Sequence, residues 1–387
     1  MEKIRLGMIG LGNQGTMYAK KLIAGECPDF DLVAICDRNP ARVTWGKENL
    51  QKEITYFEEA EALLDSGLID ACLIETPHYD HPTLAIACMR RGIHVMVEKP
   101  AGVYTKQVRE MNEEAAKHNV KFGMMFNQRT NPMYKKIRDI VQSGEYGNIR
   151  RVNWLMTRWY RSQTYYDSGD WRATWAGEGG GVLMNQAPHQ LDLMQWMCGM
   201  PKTVKAQLSV GKWHDIEVED DVTAYMEYEN GATGVFITST GDVDGTNRLE
   251  IQLDKGKLVA DLTDDIRQVR IITYEMTEQE WRSRKDVFGK LPRTDETVEF
   301  ESGSGHMGVI RAWGGAILRD EPMIADGTEG INGLTLCNAM YLSSWLDKKV
   351  ELPFDEDLYY DELMKRVATS KKKTNVTAIV ADTAGTF

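Results

Sequence analysis

Lys99 is the side chain best placed for chemistry. It follows the apolar run Ile93-His94-Val95-Met96-Val97 and precedes Pro100, so a buried strand ends by delivering an amine beside the carboxylate of Glu98. An amine in a ligand crevice binds an oxygen or moves a proton; at a free strand end the same pair is only a surface ion bridge. A second polar set lies in Gly177-Glu178-Gly179-Gly180-Gly181-Val182-Leu183-Met184-Asn185-Gln186-Ala187-Pro188-His189-Gln190-Leu191-Asp192. Asn185 and His189 are four apart and Asp192 is three further on, so one helix would carry all three on one face. An imidazole flanked by polar groups suits proton transfer. Pro188 is tolerated only in a helix's first turn, and if Asn185 is an N-cap its side chain belongs to the backbone.

Upstream, Arg158, Tyr160, Arg161, Tyr165, Tyr166, Trp171, Arg172 and Trp175 form the densest aromatic and arginine cluster in the chain. Flat apolar faces with hydrogen-bonding arms suit a sugar ring or an aromatic aglycone, and they equally suit a core or an interface patch.

The elements that must position these groups begin at the N-terminus. Ile4 to Ile9 reads as a strand covered on both faces, runs into Gly10-Leu11-Gly12-Asn13-Gln14-Gly15, and is followed by a helical pattern. That order gives a GxGxxG match its meaning: Gly10 for the tight turn, Gly12 for approach of a pyrophosphate, Gly15 for close helix packing, and the amides of Asn13 and Gln14 at a helix N-terminus. A second buried strand, Leu32 to Cys36, ends in Asp37, which would accept from the ribose hydroxyls and repel the extra phosphate of NADP. Asp37 favours NAD over NADP, and Arg38 beside it is placed to stack on adenine. Strand and helix signals go on alternating, which predicts a doubly wound parallel sheet. Thr76-Pro77-His78, with His81 near the next helix start, would sit over the cofactor. The last strand, Val120 to Phe126, delivers Asn127-Gln128-Arg129 to the crevice, where they bind nicotinamide or substrate unless Arg129 anchors the domain junction.

From residue 148 the rhythm changes to long alternating runs separated by turn signals such as Glu229-Asn230-Gly231 and Asp254-Lys255-Gly256, the pattern of a large, mainly antiparallel open sheet. The expected organisation is a dinucleotide-binding domain (1–126), an α+β domain for substrate binding and oligomerisation (127–353) and a C-terminal extension (354–387) that embraces a neighbouring subunit. One sheet face would meet a second copy, giving a homodimer or homotetramer. The 387 residues carry a formal charge of −12, so nucleic acid and anionic membranes are not expected partners. Six cysteines without paired spacing fit reduced core thiols in a cytoplasmic protein and no metal site.

Taken together, Gly10-x-Gly12-x-x-Gly15, Thr76-Pro77-His78-x-x-His81, Glu98-Lys99-Pro100 and the Gly179 to His189-x-x-Asp192 segment resemble the Gfo/Idh/MocA family of nicotinamide-dependent oxidoreductases over roughly residues 1 to 355. The resemblance implies a Rossmann domain followed by a large open sheet, with NAD as cofactor and a sugar, glycoside or cyclitol as substrate. It implies a catalytic lysine, matched by Lys99, and an aspartate and histidine four apart, of which His189 matches and Asn185 replaces the acid. On this basis His189 is expected as acid/base, helped by Asp192 in the absence of an acid at 185, with Asn185 orienting the hydroxyl and Lys99 polarising the oxygen. Cofactor contacts are expected from the glycine turn, Asp37, Arg38, Thr76, Pro77, His78, His81, Glu98, Lys99 and Asn127. Substrate contacts are expected from Lys99, Arg158, Tyr160, Trp171, Arg172, Trp175, Asn185 and His189. A second function fits the same residues, glycoside hydrolysis through transient oxidation and elimination; a third, a non-catalytic sugar or redox sensor, is one that the presence of Lys99 and His189 argues against.

Overall fold

The computed structural model describes residues 3–263, 267–284, 289–371, 373 and 376. The first sheet contains β1 (Ile4–Ile9), β2 (Phe30–Cys36), β3 (Thr55–Phe57), β4 (Ala71–Ile74), β5 (His94–Val97) and β6 (Phe122–Met124), all parallel in the order β3-β2-β1-β4-β5-β6. Every residue of β4 is buried, as expected of a strand with helices on both faces. The chain reverses direction across the sheet between β1 and β4, and this opens a crevice at the strands' carboxyl ends. The glycine turn after β1, the Glu75 turn after β4 and Glu98-Lys99 after β5 all arrive at that edge.

The second sheet contains β7 (Ile149–Met156), β8 (Thr203–Val210), β9 (Glu219–Glu227), β10 (Thr233–Ser239), β11 (Asn247–Leu253), β12 (Gly256–Asp261), β13 (Gln268–Tyr274), β14 (Arg293–Glu299) and β15 (Val350–Glu351). Its order is β14-β13-β12-β11-β7-β10-β9-β8-β15, antiparallel except for the central β7–β10 pair. That parallel pair makes the sheet mixed, and it brings β7 and β10 side by side in the centre. Alternation is clear: Val152, Trp154 and Met156 of β7 face a core under the helices, while Leu155 between them is 37% exposed.

The two halves share more than a junction. The helix Gly305–Arg319 lies late in the chain, yet its Met307, Val309, Ile310 and Trp313 join Ile4, Leu6, Met8 and Tyr18 in one buried cluster, and Trp313 stacks on Phe30 at 5.2 Å. The Rossmann sheet is therefore closed by residues some 180 positions beyond its last strand. After the final helix, Glu356–Val367, the described part of the tail binds its own chain. Ser370 Oγ and the Lys371 N–H donate to the Glu217 carboxylate, and Lys373 Nζ donates to the Tyr166 carbonyl at 2.6 Å. These residues form an intramolecular anchor; the residues beyond 376 lie outside the described set. Among the described residues no helix is long and apolar enough to cross a membrane, and none of the six cysteines is bridged.

Candidate active site

The helix Asn13–Ile23 begins at Gly12, with no side chain capping its N-terminus. Its first amides therefore keep their donor capacity, and the helix dipole places a positive end at the crevice. Gly10 has φ +106°, a conformation L side chains rarely adopt. A Cβ on Gly15 would overlap the Gly10 carbonyl oxygen, so helix and turn are in contact here. An open N-terminus beneath a glycine turn is a cradle for a dinucleotide pyrophosphate, and the residues present fit that group. Asp37 is held at the end of β2, 7% exposed. Its oxygens accept from the Leu11 N–H at 2.7 Å and the Asn39 N–H at 2.8 Å, with Arg42 Nη1 at 3.4 Å. Arg38 is exposed and paired with Asp80 at 3.0 Å, so it is Arg42 that lines the crevice.

That crevice, about 390 Å³, collects Gly12, Asn13, Gln14, Thr76, Pro77, His78, His81, Glu98, Lys99, Asn185 and His189 on one surface, together with Trp171 and Arg172. Glu98 and Lys99 are not a surface ion pair. Glu98 is 8% exposed and accepts from Tyr18 Oη and from the Lys99 main-chain N–H. Lys99 Nζ donates across the crevice to the Asn185 carbonyl oxygen at 3.1 Å, so an amine from the first sheet meets the turn that leads to His189. Burial lowers the Lys99 pKa, opposed by the Glu98 charge and reinforced by Arg172. Burial pushes His189 well below the ordinary imidazole value, and the positive charges of Lys99 and His306 push it the same way.

The expected single helix is two. Val182–Asn185 ends, Gln186 and Ala187 break the pattern, and Pro188 opens Pro188–Cys198 from its first position, where a missing N–H costs nothing. Ala187, not Asn185, is the N-cap. Asp192 does not serve His189: it is 1% exposed and bound by Arg129 Nε at 2.8 Å and Nη2 at 2.6 Å. Arg129 thus anchors the junction, reaching Glu329 with Nη1 at 2.6 Å. The acid that the glycine-led segment lacked at 185 is supplied by Glu178. It accepts from Asn185 Nδ2 and, at 2.6 Å, from the Ala173 N–H, with Arg172 3.9 Å away. Burial raises its pKa, with Arg172 the largest opposing influence.

The aromatic and arginine cluster divides. Trp171, Arg172, Tyr165 and Arg161 border the crevice, with Arg172 4.6 Å over the Trp171 ring and donating to Tyr165 Oη at 3.0 Å. Trp175 is core: it packs edge-on against Tyr341 and Trp345 at 5.7 Å. Tyr160 is 45% exposed and does not line the crevice. Arg158 and Asn127 line a neighbouring cavity instead, on the far side of Trp159.

Two histidines divide in the same way. His78 Nδ1 lies 3.0 Å from the Glu178 carbonyl oxygen, edge-on to Trp171. His81 has the Pro100 and Thr76 carbonyls at 2.7 and 2.8 Å from its two nitrogens, which ties the turns after β4 and β5 together. That is a clamp, and it leaves neither nitrogen for a ligand. Sequence reasoning missed Glu75, whose two oxygens are buried in the crevice with no hydrogen-bond partner; burial and the Glu98 charge push its pKa well up. It also missed Arg42, one helical turn beyond Asp37, and Glu178, whose signal was an acid inside a glycine run.

A crevice between the Rossmann glycine turn and the segment 159–189, with residues that fit a dinucleotide, defines an NAD-binding oxidoreductase. Residues 4–126 match the oxidoreductase family with NAD-binding Rossmann fold, and residues 134–259 match the GFO/IDH/MocA C-terminal domain. The chain belongs to the Gfo/Idh/MocA family. It is 28% identical over 279 residues to myo-inositol 2-dehydrogenase of Thermotoga maritima, covering 70% of this chain and 78% of that protein. It is 27% identical over 261 residues to trans-1,2-dihydrobenzene-1,2-diol dehydrogenase of Bos taurus, covering 65% and 74%. Among solved structures, the WlbA dehydrogenase of Bordetella pertussis in complex with NADH and UDP-GlcNAcA is 25% identical, with a TM-score of 0.75 over 92% of this chain and 100% of that one. A levoglucosan dehydrogenase in complex with NADH and L-sorbose, 19% identical with a TM-score of 0.76 over 92% and 100%, shares the fold.

Because a Cβ at Gly15 has backbone on its far side, Gly15→Ala is expected to weaken NADH binding by at least about tenfold, roughly 1.4 kcal/mol, read by fluorescence titration. Unchanged affinity would show that the turn does not hold the dinucleotide.

Proposed function

We propose that this chain is an NAD-dependent dehydrogenase that moves a hydride between nicotinamide and a secondary hydroxyl of a sugar, glycoside or cyclitol. The observation that carries this reading is the hydrogen bond from Lys99 Nζ, at the same strand edge as the glycine turn, across the crevice to the Asn185 carbonyl, with His189 lining the same space. The sugar and cyclitol chemistry named for the relatives supports the substrate class, and Asp37 supports NAD over NADP. Asp37 keeps a carboxylate where a ribose phosphate would have to lie, and the half-exposed Arg42 is the cation beside it.

When bound, NAD supplies the hydride acceptor. The chain's own groups handle the proton. Lys99, its pKa lowered by burial, is the better base for the substrate hydroxyl, because a neutral amine becomes accessible nearer neutral pH. His189, pushed well below the ordinary imidazole range, stays neutral and orients the hydroxyl by hydrogen bonding. Lys99, expected to polarise the oxygen and share the proton, is thus proposed as the base, and His189, expected as acid/base, takes the orienting role expected of Asn185. The Asn185 amide is oriented by Glu178, and Glu178 adds to the larger effect of Glu98 in holding the Lys99 pKa up.

This assigns Glu178 a measurable effect. Glu178→Gln removes an anion near Lys99, so the Lys99 pKa falls further and the acidic limb of the kcat/KM profile for oxidation moves to lower pH. Activity at the plateau is expected to fall by about tenfold as Asn185 loses a charge-assisted partner. An unshifted limb would remove Glu178 from the proton's neighbourhood. The overall reading is tested with a panel of sugars, cyclitols and glycosides assayed for NADH. Net NADH supports it, and aglycone release with no net reduced cofactor turns the assignment to hydrolysis. We also propose a homodimer or homotetramer assembled through the outward face of the second sheet, where Leu155 and Tyr225 are exposed. Sedimentation of a monomer at micromolar concentration would refute it.

A further inference from the structure

Beside the crevice lies a second cavity of about 560 Å³, inside the ~300–1,000 Å³ range usual for small-molecule sites. Trp159 borders both spaces, so they share a wall. The lining of the second is mostly neutral and hydrogen-bonding: Asn127, Tyr134, Gln190, Asn247 and Ser302, with His306 on the side of Lys99. Asn127 and Gln190 are each 4% exposed, yet Asn127 Oδ1 and Gln190 Oε1 are buried without a hydrogen-bond donor. Trp159 Nε1 on the shared wall is likewise buried without an acceptor. These residues line the cavity, and native structures rarely leave such atoms without partners. Amides, a hydroxyl and a phenol around the Trp159 wall are complementary to the hydroxyls and apolar face of a pyranose.

We propose that this cavity is a subsite for a second pyranose ring, joined glycosidically to the ring whose hydroxyl is oxidised over Lys99. The physiological substrate class is then a disaccharide or a glycoside with a sugar aglycone. The inference rests on the dehydrogenase reading above and deepens it. The crevice must take nicotinamide and the reacting ring within about 390 Å³, so a further ring needs the adjoining space. The mostly neutral, hydrogen-bonding lining suits an uncharged polyol better than a phosphate or carboxylate. Arg158 on this wall is already engaged with the Leu262 carbonyl at 2.8 Å, and Arg267 is exposed.

The test uses the full chain saturated with NAD and three kinds of probe: methyl glycosides of glucose, galactose and mannose, the disaccharides of the same sugars, and their 1-phosphates. Binding is read by saturation-transfer NMR and turnover by NADH formation. A disaccharide is expected to bind about tenfold more tightly than the methyl glycoside of its reacting ring. Gln190→Leu removes one acceptor. Ser302→Trp, at an exposed position of the lining, fills the cavity without touching the crevice. Each variant is expected to erase most of that advantage while leaving the methyl glycoside within about twofold. Equal binding of the two probe types, no binding of any disaccharide, preference for the 1-phosphates, or variants that affect both sugars alike would each overturn the subsite. The two readings fail separately. Disaccharide binding that Ser302→Trp abolishes, with no NADH from any sugar, keeps the subsite and removes the dehydrogenase. NADH formation with no disaccharide preference does the reverse.

Discussion

Lys99→Met is expected to lower hydride transfer by roughly 10²–10⁴-fold while leaving NADH affinity within about threefold. The side chain is half-buried just past β5, and its Nζ reaches across to the Asn185 carbonyl. Methionine keeps most of that volume, so the crevice need not collapse. Glu98, the nearest carboxylate, retains its hydrogen bonds from Tyr18 and from the main-chain N–H of residue 99, and it is spared isolation. The base that takes the hydroxyl proton is lost, and so is the acidic limb of the pH profile. Rapid-mixing measurement of NADH formation, with fluorescence titration of NADH as the control, separates chemistry from binding. Turnover retained within tenfold would remove Lys99 from the reaction.

The largest effect on stability is expected at Arg129. Its guanidinium is 1% exposed, bidentate to an equally buried Asp192, bonded to Glu329, and 5.2 Å from the ring centres of Phe126 and Trp196. Removing one partner of a buried pair strands the other, at a cost of about 3–5 kcal/mol. Arg129→Met should therefore lower the urea midpoint sharply. Arg129→Met with Asp192→Leu, which removes both charges, should recover much of the loss. Burial already raises the Asp192 pKa against the pull of Arg129, and without the arginine it rises further. A carboxyl whose folded pKa exceeds its unfolded value binds more protons when folded, so its contribution weakens as pH rises. The deficit of Arg129→Met should accordingly narrow as the pH is lowered from 7 toward the unfolded carboxylate value. A midpoint unmoved by the single substitution would mean that the junction draws its strength from apolar packing alone.

The Rossmann half was legible because its signals are local. A buried strand, a glycine turn and a helix are contiguous in sequence, and the acid at 37 stands at the spacing the fold requires. The central parallel pair β7–β10 was not, because those strands are some 80 residues apart and their alternation is the same whichever direction the partner runs. Site residues divide along the same line. Lys99 and His189 stand in motifs; Glu178 meets Asn185 only because the glycine turn folds back on the short helix Val182–Asn185. Asp192 was expected to share a face with His189, but one helix turn points it at Arg129, and a buried guanidinium outcompetes an imidazole for a carboxylate. Trp175 and Trp171 are four apart in one aromatic cluster. Edge-on packing against Tyr341 and Trp345, from a helix about 170 residues later, draws only Trp175 into the core.

Glu217 takes the Trp175 N–H at 2.9 Å, and its other donors come from Ser370 and Lys371, while Ser370 Oγ in turn receives the Ala176 N–H at 3.2 Å. The loop that presents Trp171 and Arg172 is thus moored to residues 370 and 371, and Val376 reaches the crevice rim. A truncation before residue 370 would cut that mooring, so catalytic constants measured on such a version would describe an altered entrance.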